Sequence, residues 1–181
     1  FIKITLKEGI FQKTVEFSRS SNIIYSKKNA VGKTTFLRAI YYALGYSIPS
    51  TKGIKFDDME FWLIVESKGK QYKLYRHNSY MSIDDENGQI EYSLPIDLHE
   101  VQNILTGCDN KNILDNMIGA SYVDQEKGWT LLNRGKVIGN IAFNIEALVR
   151  GLGKIDCDEE LRQLDAVKHQ QKKYEYMYSV A

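Results

Sequence analysis

The chain has 181 residues, 43% of them apolar and 26% charged, with a formal net charge of +1. That length buries one good core, and the composition is that of an ordinary globular domain with no global nucleic-acid signal, so any DNA surface must be a local patch or come from a partner. No run of 18 apolar residues reads as a membrane span, and two cysteines, Cys108 and Cys157, without CxxC spacing suggest neither a disulfide framework nor a metal and fit a reducing cytoplasm.

The first 25 residues read as strands. Phe1–Leu6 alternates apolar with polar and lacks the long apolar stretch of a signal peptide. Lys13–Phe17 alternates again, and Asn22-Ile23-Ile24-Tyr25 is a short apolar run of the kind expected for a strand buried on both faces. A helix is expected over Lys33–Leu44, because Phe36, Leu37, Ile40, Tyr41 and Leu44 recur at helical spacing and Gly45 stands at the C-terminal cap position. Phe61–Glu66, Gln71–Arg76 and Tyr80–Ile83 form an antiparallel meander closed by a turn at Glu86-Asn87-Gly88. Ile96–Leu105 is expected to be helical with Pro95 just inside its start, and Ile138–Leu152 to be a second helix. From Asp156 the chain turns polar. Leu164, Val167, Gln171, Tyr174, Tyr178 and Ala181 follow at heptad steps, which fits either an amphipathic helix on its own domain or the start of a coiled coil.

The densest signal is Asn29-Ala30-Val31-Gly32-Lys33-Thr34-Thr35. A strand, a loop with Gly-Lys-Thr and a helix in that order make a phosphate-binding loop, in which backbone N–H groups and the positive end of the helix dipole converge on one anion. Gly32 lets the backbone approach a phosphate, Lys33 places an ammonium between the last two phosphates, and the Thr34 hydroxyl completes a Mg²⁺ shell. ATP and Mg²⁺ are the expected ligands, held by Lys28, Asn29, Ala30, Val31, Gly32, Lys33, Thr34 and Thr35. The motif's usual first glycine is Lys27 here, so the loop is expected either to open at that residue or to gain a cation near the phosphates.

Asn29 followed by Gly-Lys-Thr-Thr and a helix reading Leu-x-Ala-Ile resembles the head domains of SMC (structural maintenance of chromosomes) proteins, of the related double-strand-break repair ATPases and of the RecF/RecN group. Ser121-Tyr122-Val123-Asp124-Gln125-Glu126-Lys127-Gly128-Trp129 is similar to the Q-loop of ABC-type ATPases, where the amide oxygen of Gln125 would ligate Mg²⁺ and its NH₂ would position the attacking water. Lys33 and Gln125 are thus the expected catalytic residues, and Thr34 and Gln125 the metal ligands. Trp129 fits a packing anchor better than an adenine platform, and Lys52 and Lys55 are solvated lysines by default, although such heads can carry a nucleotide-reaching cation near this point. The same segments also resemble the SMC-like ATPases of bacterial anti-phage and anti-plasmid defence operons, the Lamassu type among them.

The resemblance implies an α/β fold: the N-terminal lobe of a P-loop ABC-type ATPase head over residues 1–155, with an antiparallel β meander and helices, then the start of a coiled-coil arm over 156–181. At about 1.5 Å per residue that arm would project roughly 39 Å. A Walker B strand ending in Asp-Glu and a Ser-Gly-Gly signature are missing, so the chain is expected to be a fragment that does not hydrolyse ATP alone. The implied partners are a second head (a homodimer), DNA, a nuclease effector and a small accessory subunit, in the cytoplasm and without a membrane. Two alternatives stay open: a nucleotide-binding module with a degenerate, non-hydrolysing site, and a stand-alone P-loop phosphotransferase.

Overall fold

Alternation along the first 93 residues is satisfied by one antiparallel sheet. The computed structural model describes residues 1–28, 32–49, 53–124, 128–129, 135–155, 157, 160, 163–164, 166–168, 170–172 and 175. Strands β1 (Lys3–Glu8) and β2 (Phe11–Glu16) form a hairpin, and helix α1 (Lys33–Ala43) and a single 3-10 turn (Phe56–Asp58) follow. Then β3 (Glu60–Ser67), β4 (Lys70–His77), β5 (Tyr80–Asp85) and β6 (Gly88–Ser93) run as a meander. The sheet order is β2-β1-β3-β4-β5-β6, so β1 is paired on both sides. The register aligns Val15, Ile4, Leu63, Leu74 and Ile83 in one row across five strands. That row faces α1, whose Ala39, Ile40, Tyr42 and Ala43 are buried against it. The pairs found by alternation therefore form one face of one core.

The second half is helical with short ladders: α2 (Leu98–Thr106), α3 (Lys111–Ser121), β7 (Val123–Asp124), β8 (Gly128–Trp129), β9 (Gly135–Ile138), β10 (Ile141–Phe143) and α4 (Ile145–Leu152). The described positions between 160 and 175 include helical ones, with Leu164 and Val167 exposed. Tyr174, Tyr178 and Ala181 of the heptad series lie outside the described residues. Among the described residues no helix is long and apolar enough to cross a membrane.

Four expectations change. Asn22–Tyr25 is not a strand: it is irregular, with Ile23 87% and Tyr25 80% exposed. A doubly buried strand needs neighbours, and β1, which precedes it, is already flanked by β2 and β3. Ile138–Leu152 is not one helix but a hairpin followed by α4. Gly139 turns the chain at φ 56°, and the Asn144 side chain accepts from the amides of Glu146 and Ala147 to start α4. Pro95 precedes α2 rather than opening it, because Asp97 is the N-cap. The meander also continues past the Glu86–Gly88 turn into β6.

Candidate functional site

Two ring contacts and a buried cation place α1. Phe36, in its first turn, stacks on Phe17 at the end of β2, with centroids 6.3 Å apart. At the other end Arg76 of β4, only 4% exposed, stands in an otherwise apolar inward row between Phe61 and Met81. Its Nη1 donates to the carbonyls of Tyr42 and Tyr46, the latter at 2.9 Å, and its Nε donates to Asn78 O at 3.0 Å. The guanidinium carbon lies 3.5 Å from the centre of the Tyr42 ring. A cation on the last carbonyls of a helix complements its dipole. Burial pulls the Arg76 pKa down and pushes those of Tyr42 and Tyr46 up, so Tyr42 stays a phenol that donates to Asp57 Oδ1 at 2.8 Å.

The N-terminus of α1 lies among lysines. Among the described residues no side chain caps it, and its first turn holds no acidic residue. Gly32, the N-cap, has φ 87°, which favours glycine, and among the described residues a Cβ there would meet nothing within 4 Å. Phe36 N–H closes the first helical bond on Gly32 O at 2.8 Å. Lys33 folds back: its Nζ donates to Ser26 Oγ at 3.1 Å, and that hydroxyl donates to Lys28 O at 2.5 Å. Among the described residues none of Lys27, Lys28 and Lys33 pairs with a carboxylate. The result is a local excess of positive charge at a helix N-terminus. Lys27 is exposed and its φ is not positive, so a residue other than glycine sits there without strain.

Beside Gly32 and Thr35 runs a groove of about 330 Å³ between α1 and the β1–β2 hairpin. Its lining is mostly apolar, with Phe11, Phe36, Ile54 and Met59, while Glu8, Gln12 and Lys13 add polar groups. Phe11 is 76% exposed, an aromatic ring presented rather than packed.

Of the expected site residues, Lys28, Gly32, Lys33, Thr34 and Thr35 are brought together by the turn into α1. Asn29, Ala30, Val31, Gln125 and Lys52 lie outside the described residues. Lys55 is exposed, and its neighbours Ile54 and Phe56 line the groove instead. Residues missed by sequence reasoning are Ser26, which holds the Lys33 ammonium, and the groove-lining Phe11, Ile54 and Met59. A hydroxyl at the mouth of a lysine-rich loop was the available signal for Ser26; the groove exists only once the hairpin meets α1. Among the described residues no cluster of three or more His, Cys, Asp or Glu side chains could hold a metal. The outer sheet face carries Trp62, Tyr75 and Tyr80, but Lys3, Lys7 and Lys73 pair there with Glu16, Glu60 and Asp84. That face is charge-balanced, unlike a surface built for nucleic-acid phosphates.

No protein-family model matches the chain. It is similar to Lamassu protein LmuB of Bacillus cereus (strain VD014), 27% identical over 128 residues that cover 65% of this chain and 23% of the relative. It is also similar to Lamassu protein LmuB of Bacillus sp. (strain NCIM 5461 / CCTCC AB 2011126 / NIO-1130), 27% identical over 125 residues covering 63% and 22%. The match spans less than a quarter of the length of these relatives.

Proposed function

We propose that this chain is the ATP-binding N-terminal lobe of an SMC-like, ABC-type ATPase head that serves in bacterial defence against phages or plasmids. The observation that carries the nucleotide reading is the start of α1, where Gly32 takes a positive φ and, among the described residues, Lys33 bonds the Ser26 hydroxyl rather than a carboxylate. The similarity to Lamassu LmuB supports the defence context.

In this reading the amides of the first turn of α1 bind the terminal phosphates of ATP. Lys33 exchanges Ser26 Oγ for phosphate oxygens, a stronger charge-assisted partner. Lys28 lends positive charge from the rim. The residues fit Mg²⁺ only in company: Thr34 offers one hydroxyl at the helix start, and phosphates and water must supply most of a hard cation's oxygen shell. Gln125 would add its amide oxygen. Bound there, Mg²⁺ neutralises charge on the phosphates. The nucleoside lies along the groove past Thr35, against Phe36, Ile54 and Met59 and under Phe11. The catalytic carboxylate and the signature residues come from outside these 181 residues, and a second head closes the site. DNA, a nuclease effector and a small accessory subunit are the partners such a head would serve. DNA binding would be salt-dependent and carried by surfaces other than the balanced sheet face.

The test is Lys33→Ala, with ATP·Mg²⁺ binding followed by calorimetry and the fold checked by circular dichroism. A folded variant whose affinity drops by about 100-fold or more is expected, the loss of one strong charge-assisted contact. Unchanged affinity sinks the reading.

A further inference from the structure

Helix α3, β10 and α4 are packed closely together. Asn144 N–H donates to Asn116 Oδ1 at 2.5 Å, and Asn116 Nδ2 donates to Asn112 O at 2.8 Å; Asn116 is only 3% exposed. A Cβ on Gly119 would lie 2.0 Å from Ala142 O, and one on Gly151 2.8 Å from Asn110 Oδ1. Backbone approaches this close leave no slack between the three elements.

That body meets α1 and its exit at two places. The Tyr122 ring, just after α3, packs edge-on against Tyr41 of α1 with centroids 5.4 Å apart. The second place is the β9–β10 turn. Ser47 N–H donates to Asn140 Oδ1 at 2.9 Å, while Asn140 N–H donates to Ser47 O at 3.1 Å. One residue thus satisfies both polar groups of Ser47, as a paired strand would. The grip depends on Gly139: its φ is 56°, and a Cβ would stand 1.6 Å from Ser47 O. Ile138 and Ile141, on either side of the turn, are buried in the core and anchor it.

The exit of α1 is therefore held from two directions, while its other end is the open phosphate site. An 11-residue helix is a rod of about 16 Å, stiff enough to pass a tilt from one end to the other. We propose that Asn140 is a positioning residue, and that its latch on Ser47 carries occupancy of the phosphate loop into the α3–β10–α4 body. The inference rests on the nucleotide reading above and deepens it by naming the element that nucleotide regulates.

Hydrogen exchange by mass spectrometry, with and without ATP·Mg²⁺, tests it on the full chain. In the wild type, nucleotide should slow exchange in residues 111–121 and 141–152 as well as in α1. Asn140→Ala, an exposed position, should bind ATP within about 3-fold of wild type while protection stays confined to α1 and the loop. Asn140→Asp keeps the Oδ1 acceptor and should restore the remote protection. Ser47→Pro removes the N–H that donates to Asn140 Oδ1, breaking the same bond from the donor side, and serves as the second variant should Asn140→Ala fail to fold. ATP binding without remote protection in the wild type overturns the latch alone, as does remote protection that survives in Asn140→Ala and Ser47→Pro. No ATP binding by the wild type overturns the nucleotide reading and this inference together.

Discussion

Arg76 is a charge placed where an aliphatic residue would be the obvious choice. It faces the core from β4 and makes up for lost hydration with three carbonyl acceptors and the Tyr42 ring. Removing it takes a donor from all three; Tyr42 O keeps the Gly45 N–H and Asn78 O a longer bond from the Tyr42 hydroxyl, so the main penalty falls on the Tyr46 carbonyl. Arg76→Met should therefore destabilise the chain by about 3 kcal/mol, although methionine is the more apolar side chain. Arg76→Lys keeps the charge but not the fork, and should recover only about 1 kcal/mol of that. Urea unfolding with an unchanged slope checks both values; a Met variant within about 0.5 kcal/mol of wild type would show the capping role to be wrong. At the same scale the positive φ of Gly32 was legible from residue type. Ser26 was not, because its part comes from Lys33 folding back across seven positions, a contact with no local periodicity.

At the scale of elements, alternation located β1 to β5, and helical spacing with the Gly45 cap located α1 to within a residue. It failed where two signals competed. Ile138–Leu152 has enough apolar residues at helical spacing to suggest one helix, yet Gly139 and Asn144 divide it, one by its backbone and the other by its side chain. Helix α3 was overlooked, although Asn110 caps it through a bond from Ile113 N–H, the usual sign of a helix start. Asn22–Tyr25 misled in the opposite sense: apolar runs measure a wish for partners, and the described residues offer this one none. The α3–β10 contact admits a direct test. Gly119→Ala should destabilise the chain by about 2 kcal/mol or more, despite alanine's better helix propensity, because the added methyl meets the Ala142 carbonyl. A thermal midpoint equal to or above wild type would refute that packing.

For the molecule as a whole, two local units share the sheet: the β1–β2 hairpin and the β3–β6 meander. They join along one seam, β1 against β3, where Ile4 faces Leu63. Helix α1 lies in the connection between the two sides of that seam. Each unit forms from near neighbours in sequence, but the seam must close a long connection before it is rewarded, so it sets the pace of folding. Leu63→Ala, which empties a site only 1% exposed, should act mainly by slowing refolding in stopped-flow experiments, whereas truncating Ile90 on the far edge should leave the refolding rate nearly untouched. During synthesis α1 emerges before β3, so the hairpin must wait with one edge of β1 unpaired until β3 appears. Helix α1 therefore takes its final place late, when the two units meet.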